Sequence, residues 1–234
     1  MKIVFRICLL CVGWLSSPWV QAADVPVVFN HGETAGPGDV FGLQGAFFGV
    51  NAEVWYMPVS GDEKKLAPVS KLVVVSGSDR NITAQLPVTG FNKGQLLAVW
   101  IKQGSALSKP VFLNKARAVT IEFDELMPGQ RFRIFGRNLQ AEGYTPSVRL
   151  MATKGNASLA ATVVKTDAYV MEVIAPAGVR KDISYKIVVN NGAGKVWGES
   201  VAEEWIAGRA AAPDPLGLEV PWGADFVFAN NMYN

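Results

Sequence analysis

The sequence is poor in the side chains that most often do chemistry. Its 234 residues include two cysteines, Cys8 and Cys11, and one histidine, His31. Both cysteines fall within the first 22 residues, which we expect to be removed, so the processed chain has no disulfide, thiol nucleophile or cysteine-ligated metal. One histidine is also too few for a His-rich metal site. The sequence therefore predicts no metal and no cofactor.

An excess of charge of either sign is also lacking. The formal net charge is +2, and removing residues 1–22, which contain Lys2 and Arg6, leaves 20 basic and 20 acidic residues. Nucleic acids are bound by clusters of positive charge on one face of a protein. We therefore expect no nucleic acid as a partner, and the same balance gives no support for binding to an anionic membrane.

The N-terminus has the pattern of a signal peptide. Two cations, Lys2 and Arg6, precede the apolar residues 7–15, which are too few to span a bilayer as a helix. Val20 and Ala22 place small or tolerated residues before a cleavage site after Ala22. We expect residues 1–22 to be removed and the protein to be secreted, either extracellular or periplasmic, without a membrane span. An exported protein without disulfides is more typical of bacteria.

Strand-like segments recur along the rest of the chain. Residues 37–45 (PGDVFGLQG) recur as 128–136 (PGQRFRIFG), 54–57 as 148–151, and 97–104 as 185–192. Three blocks in one order, offset by about 90 residues, indicate two copies of a unit with the size of a β-sandwich domain. The first copy has an insertion, residues 59–70, which we expect to be a solvated loop.

The repeated blocks alternate between apolar and polar positions, as half-buried strands do. Phe41 and Leu43 in the first copy match Phe132 and Ile134 in the second. A Pro-Gly pair before each block marks a turn. Beyond the signal peptide no helical period lasts a dozen residues, although residues 202–208 could form one helical turn. We therefore expect an all-β chain of two tandem sandwiches with a largely irregular C-terminal tail.

His31 and a few clustered acids are the candidates for catalysis. We interpret His31 as a turn residue after the first strand, and the sequence has no Gly-x-Ser-x-Gly elbow for a serine triad. Glycosidases need two carboxylates across a sugar, and the acids closest in sequence are residues 122–125 and 203–204. Alternation places Glu122 on the solvent side of its strand. We interpret these acids as surface charges and expect no catalytic residue and no enzyme activity of this chain alone.

The combination of these blocks resembles the IPT/TIG family of immunoglobulin-like domains. The first copy has the family pattern in residues 36–49 and 86–104, and the second has it in residues 128–139 and 175–192. The resemblance covers about residues 25–203 and implies immunoglobulin-like β-sandwiches. We divide the chain into a signal peptide (1–22), module 1 (24–114), module 2 (115–203), and a linker with the lead-in to a further domain (204–234).

Tryptophan is the side chain that points to binding. The matched strands place Val54 and Val99 inward, so Trp55 and Trp100 face outward. In immunoglobulin topology these two strands are neighbours in one sheet. We therefore expect two exposed indoles side by side on the outer face of module 1. Such a surface is a candidate platform for a sugar ring or a partner domain.

A second resemblance concerns the module junction and the tail. Residues 108–116, followed by 132–139, are similar to the segment that joins paired modules at the front of large secreted bacterial proteins. The tail, residues 214–226, is similar to the lead-in to a pectate-lyase-like right-handed parallel β-helix. This resemblance implies a missing C-terminal β-helix domain as a partner. The apolar tail side chains expected to dock on it are Leu216, Leu218, Trp222 and Phe226.

Three functions are compatible with the sequence. The first is a non-catalytic accessory region of a secreted polysaccharide-active β-helix protein, whose full-length parent would be a glycoside hydrolase or polysaccharide lyase. The second is a carbohydrate-binding module that acts through exposed aromatic side chains and takes a polysaccharide as its partner. The third is a surface adhesion or structural protein with immunoglobulin-like domains.

Overall fold

The computed structural model describes residues 25–155 and 157–210 and shows an all-β protein. Module 1 contains the strands β1 (Val27–His31), β2 (Val40–Ala46), β3 (Glu53–Pro58), β4 (Ser70–Lys71), β5 (Val73–Gly77), β6 (Asn81–Gln85), β7 (Leu97–Gln103), β8 (Ala106–Leu107) and β9 (Val111–Leu113). Module 2 contains β10 (Arg117–Ile121), β11 (Glu125–Leu126), β12 (Arg131–Arg137), β13 (Ser147–Ala152), β14 (Ser158–Thr166), β15 (Val170–Ile174), β16 (Ser184–Asn190) and β17 (Ser200–Gly208). Within the described ranges the helical structure is a single 3-10 turn, Lys195–Trp197.

Each module is an immunoglobulin-like sandwich of mainly antiparallel strands. In module 1 one sheet has the order β1-β2-β6-β5, and the other has the order β4-β3-β7-β8 with β9 also paired to β7. In module 2 the strands form a continuous path, β10-β12-β15-β14-β13-β16-β17-β11. The path is continuous because the first part of β14 pairs with β13 and the second part pairs with β15. Strand β14 therefore passes from one layer of the sandwich to the other.

The inward positions predicted from alternation form the two cores. Leu97, Val99 and Ile101 on β7 are fully buried in the core of module 1. Tyr185 and Ile187 on β16 are buried in the core of module 2. The matched strands are neighbours as expected, because β3 pairs with β7 and β13 pairs with β16. This part of the sequence interpretation is confirmed.

A glycine shared by both repeats has a steric cause. A Cβ atom on Gly45 would lie 1.9 Å from the carbonyl oxygen of Val27, and one on Gly136 would lie 2.0 Å from that of Arg117. In each module the adjoining strand is irregular near this point, with a register shift between β1 and β2 and between β10 and β12. The glycine therefore allows the first strand of each module to cross closely over the second.

Three local expectations were wrong. Residues 202–208 belong to strand β17 instead of a helical turn, so module 2 continues past the expected boundary at residue 203. His31 is the last residue of β1, where it pairs with Leu43, instead of a turn residue. The insertion at 59–70 is only partly solvated, because Val59 is completely buried and the loop contacts module 2.

The two modules are joined by an apolar cluster, which we call the inter-module cluster. Its buried members are Met57, Val59, Leu96, Ala98 and Trp100 from module 1 and Ala141 and Ala193 from module 2. Polar contacts surround it: Asn191 Nδ2 donates to the carbonyl oxygens of Gly94 and Asn114 at 3.2 and 3.1 Å. In the insertion, Asp62 is ion-paired with Lys195, and Trp197 Nε1 donates to the carbonyl oxygen of Glu63 at 3.2 Å. The modules therefore share a packed interface.

Candidate functional site

The predicted tryptophan pair exists in the sheet. Trp55 on β3 lies directly opposite Trp100 on β7. Their neighbours Val54 and Ile101 enter the core of module 1, so both indoles are on the outer side of this sheet. Alternation and topology therefore predicted the position of both residues correctly.

The expected exposure of Trp100 was wrong. Only 3% of this residue is accessible, because the inter-module cluster covers its ring. Ala98, on the same side of β7, is completely buried in the same cluster, together with Ala141 and Ala193 of module 2. The partner for this part of the outer face is thus the second module of the same chain. Trp100 is not an open platform for a sugar ring.

Trp55 lies at the solvent edge of the same cluster and is half-buried. Its Nε1 donates a hydrogen bond to Glu53 Oε2 at 2.9 Å, and Lys102 Nζ lies 5.5 Å from the ring centroid. Lys71 Nζ is 2.6 Å from Glu53 Oε1. The hydrogen bond from Lys71 has the largest effect in lowering the pKa of Glu53, and the hydrogen bond from Trp55 lowers this pKa further. Trp55 therefore presents a ring edge surrounded by charged hydrogen-bonding groups.

Trp205 on β17 is the most exposed tryptophan of the described chain, at 56%. It lies opposite Lys186 on β16, and Lys186 lies opposite Met151 on β13. Lys186 Nζ is 4.4 Å from the centroid of the Trp205 ring and also donates to the carbonyl oxygen of Glu203. Met151 is 40% exposed. We call this row of three side chains, Met151, Lys186 and Trp205, the open face of module 2.

The sequence interpretation missed Trp205 because β17 is irregular. Val188 pairs with Val201 and Lys186 with Trp205, so one residue of β16 faces three residues of β17. This bulge gives the buried residues Ala202 and Ile206 a spacing of four, which looks helical. The match between the modules predicts a strand at this position, because β9 pairs with β7 in module 1 in the same way as β17 pairs with β16 in module 2.

A cleft of about 470 Å3 lies between the modules, and we call it the inter-module cleft. Its walls come from the end of β1, from β9, β10 and the segment between them, and from the start of β17. The lining residues include His31 and Glu33, Phe112, Lys115 and Arg117, and Ser200, Val201 and Glu203. Glu33 is 2.9 Å from both Arg117 Nη1 and Arg137 Nη1. The cleft therefore combines an apolar wall with several charged groups.

The catalytic candidates are not assembled into a recognisable catalytic arrangement. His31 Nδ1 lies 2.8 Å from the carbonyl oxygen of Gly32. Glu122 accepts hydrogen bonds from Arg133 Nε and Nη2 at 3.2 and 2.6 Å, and the hydrogen bond from Arg133 lowers its pKa. Glu203 and Glu204 are exposed on β17. Residues 25–155 and 157–210 contain no group of three or more His, Cys, Asp or Glu side chains that could hold a metal.

The expected docking residues Leu216, Leu218, Trp222 and Phe226 lie outside the described residues. Their role stays a prediction, as does the signal peptide at residues 1–22. In the part of the chain that the structure describes, no helix combines the length and the hydrophobicity needed to cross a membrane.

No family model matches this chain, and no curated protein matches it. Among solved structures, SGBP-B from a complex xyloglucan utilization locus in Bacteroides uniformis has 12% identity and a TM-score of 0.29 and covers 79% of this chain and 49% of that one. The surface glycan-binding protein PbSGBP-B from Prevotella bryantii has 11% identity and a TM-score of 0.30, and the coverages are 77% and 42%. A chimeric titin Z1Z2-Z1Z2 tandem has 12% identity and a TM-score of 0.29, with coverages of 80% and 100%.

This chain thus spans less than half the length of the two bacterial proteins. At these identities and TM-scores the matches carry no argument about ligand or partner. The assignment of the fold comes from the sheet order, the two separate cores and the paired β3–β7 and β13–β16 strands. The described chain is two tandem immunoglobulin-like β-sandwiches.

Proposed function

We propose that this chain is a non-catalytic, carbohydrate-binding region of an exported bacterial protein. The observation that carries the proposal is Trp205, which is 56% exposed at the solvent-accessible end of the outer sheet face of module 2. An exposed indole offers a flat apolar surface that complements the C–H face of a pyranose ring, while its rim stays polar. The secreted location rests on the predicted signal peptide.

Charged side chains around Trp205 can provide the polar part of such a site. Lys186 Nζ lies over the ring, and Arg149 occupies the neighbouring row of the same face, where it forms an ion pair with Glu199 at 2.7 Å. Sugar hydroxyls need donors and acceptors close to the stacked ring, because binding sites fix their ligands with a few placed polar groups. The open face of module 2 has both elements.

Trp55 supports a second, smaller contact in module 1. Its half-buried ring is surrounded by Glu53, Lys71 and Lys102. Because Trp55 is less accessible than Trp205, we assign the main contact to Trp205. Trp100 has no part in the proposal, since the inter-module cluster covers it.

The proposal is tested by affinity electrophoresis of the processed protein in gels that contain pectin, alginate or xylan. We expect retardation by at least one polysaccharide, with the apparent Kd raised by about tenfold or more in Trp205→Ala. The matched control is Tyr169→Ala, because Tyr169 is an exposed aromatic residue (68%) in the turn before β15. Equal retardation of wild type and Trp205→Ala would contradict the proposal, and so would the absence of retardation in every gel.

The accessory role in front of a β-helix is compatible with this function and stays a prediction. It depends on residues 214–226, which lie outside the described residues. The reading frame that follows codon 234 tests it: a continuing frame with a β-helix repeat supports the role, and a frame without one removes it. A protein partner in place of a polysaccharide would support the adhesion alternative.

A further inference from the structure

Lys115 occupies an unusual position in the inter-module cleft. It lies in the short segment between β9 and β10, between the buried residues Asn114 and Ala116. Asn114 has a positive φ of 62° and its side chain bonds both the N–H and the carbonyl oxygen of Ala35, at 2.9 and 2.8 Å. From module 2, Asn191 Nδ2 donates to the carbonyl oxygen of Asn114 at 3.1 Å and Asn138 Nδ2 donates to that of Lys115 at 3.3 Å. Both modules therefore hold the backbone that carries Lys115.

The other charges of the cleft are paired, and Lys115 is not. Glu33 contacts Arg117 and Arg137, each at 2.9 Å, and Glu203 lies 3.9 Å from Arg117. Among the described residues Lys115 Nζ has no ion pair and no hydrogen bond. Burial lowers the pKa of the Lys115 ammonium, and the charge of Glu199 opposes this change only in part. A half-buried ammonium without an ion-pair or hydrogen-bond partner is energetically unfavourable, and a bound anion would stabilise it.

Two further groups lie in the same cleft. The ring of Phe112 is 5.5 Å from Lys115 Nζ and forms part of the apolar wall with Val201. Ser200 Oγ is buried and lacks a hydrogen-bond partner in the part of the chain that the structure describes. Buried hydroxyls in native proteins are normally bonded. Ser200 lines the cleft, and its hydroxyl changes direction by rotation about χ1 between staggered positions.

We propose that the inter-module cleft binds a saccharide unit that carries a carboxylate, which is a uronic acid. The carboxylate contacts Lys115 Nζ, the C–H face of the sugar ring lies against Phe112, and Ser200 bonds a ring hydroxyl. The choice of a saccharide rests on the function proposed above, whereas the preference for an anion rests on Lys115 alone. The cleft and the open face of module 2 are different sites, because Trp205 does not line the cleft.

Isothermal titration with two matched probes tests this site. The probes are oligogalacturonate and the same oligosaccharide with its carboxyl groups methyl-esterified, and therefore neutral. We expect wild-type protein to bind the acidic form at least about tenfold more tightly. Lys115→Met is expected to abolish this preference and Lys115→Arg to retain it. Lys165→Met, which removes an exposed lysine of β14, is expected to change nothing.

The outcomes separate the two proposals. If Lys115→Met keeps the preference for the acidic probe, the cleft proposal is overturned, whatever Trp205→Ala does. If Trp205→Ala weakens both probes equally and the preference still depends on Lys115, both proposals stand. If poly-glutamate binds in a Lys115-dependent way and neither saccharide binds, the cleft takes an acidic protein segment and the saccharide assignment is wrong. If neither saccharide probe nor poly-glutamate binds, the cleft proposal fails, whereas the carbohydrate-binding proposal fails only if no gel retards the protein.

Discussion

The two modules use the same sheet face in opposite ways. In module 1 the outer side of β3 and β7 carries Met57, Ala98 and Trp100, and the inter-module cluster buries all three. In module 2 the matched strands β13 and β16 carry Met151, Lys186 and Val188 at the corresponding places; Val188 is also buried, whereas Met151 is exposed and Lys186 is half-buried. Met57 is 7% exposed, whereas its counterpart Met151 is 40% exposed. One repeat position therefore packs in the module interface in one copy and is exposed to solvent in the other.

The position of Ala98 in module 1, which is Lys186 in module 2, explains why one sheet face is buried and the other is more exposed. The small side chain of Ala98 permits the close approach of Ala141 and Ala193 from module 2. The corresponding Lys186 instead extends its ammonium over the exposed ring of Trp205. A lysine at this position keeps the face in water, because burying its charge without a partner is costly. The first face packs between the modules, and the row of Met151, Lys186 and Trp205 on the second is accessible to solvent.

The largest expected effect comes from placing this lysine in module 1. Ala98→Lys would put an unpaired ammonium into the fully buried inter-module cluster. We expect it to lower the free energy of unfolding by about 3 kcal/mol or more, or to separate the modules. Urea unfolding and small-angle scattering measure the two effects.

The matched control exchanges the residues in the other direction. Lys186→Ala removes a cation–π contact and a hydrogen bond to the carbonyl oxygen of Glu203 at a partly exposed surface, so we expect a change of about 1 kcal/mol or less. If Ala98→Lys were no more harmful than Lys186→Ala, the two faces would be equivalent and the comparison would be wrong.

A smaller effect is expected from the two methionines. Met57→Ala removes a buried side chain from the inter-module cluster and should cost about 2 kcal/mol. Met151→Ala shortens an exposed side chain and should change stability by about 0.5 kcal/mol or less. Thermal or urea unfolding of the two variants, measured side by side, gives the ratio. Equal losses would show that exposure does not distinguish these positions.

The smallest effect concerns the insertion that exists only in module 1. Burial raises the pKa of Glu63, but hydrogen bonds from the hydroxyl and N–H of Ser60 and the N–H of Gly61 outweigh it and bring the pKa to about 2. Because the folded pKa lies below the unfolded value of about 4.3, this carboxylate stabilises the loop above that pH. The contribution is lost as the pH falls toward 2.

Urea unfolding at pH 5 and pH 2.5 measures this contribution. Wild type should lose slightly more stability over this window than Glu63→Gln, by less than about 1 kcal/mol, because the group is partly solvated. The insertion contacts module 2 through Asp62 and Glu63, so the loss should also loosen the module interface. An identical pH dependence of the two proteins would show that the Glu63 carboxylate does not stabilise the insertion.

The alternation of apolar and polar residues and the internal repeat were sufficient to predict much of the fold. Alternation identified Val99 and Ile187 as core residues, and the repeat placed β3 beside β7 and β13 beside β16. Both properties depend on neighbours along the chain or on one sheet. Strand β17 was missed because its bulge opposite Ile187 changes the spacing of its buried residues from two to four. Such a bulge depends on the partner strand, so the period of β17 alone is misleading.

The candidate sites were harder to predict from the sequence than the fold, because the environments of Trp100 and Lys115 depend on contacts between the two modules. The outward direction of Trp100 follows from alternation, but its burial follows from Ala141 and Ala193, which are more than 40 and 90 residues away in the chain. The contrast between Ala98 and Lys186 in the aligned repeats was a readable signal for this burial. No comparable signal marks Lys115, whose isolation is evident only when Glu33, Arg117 and Glu203 are seen to pair with other groups.

The central claim is that module 2 offers an open aromatic face for a saccharide while the matched face of module 1 is closed. It is tested most directly by NMR of the indole N–H groups in 15N-tryptophan-labelled processed protein during titration with an oligosaccharide. We expect the Trp205 signal to shift most, the Trp55 signal to shift less and the Trp100 signal to stay unchanged. A Trp100 shift as large as that of Trp205, or no indole shift with a saccharide that binds, would contradict the account.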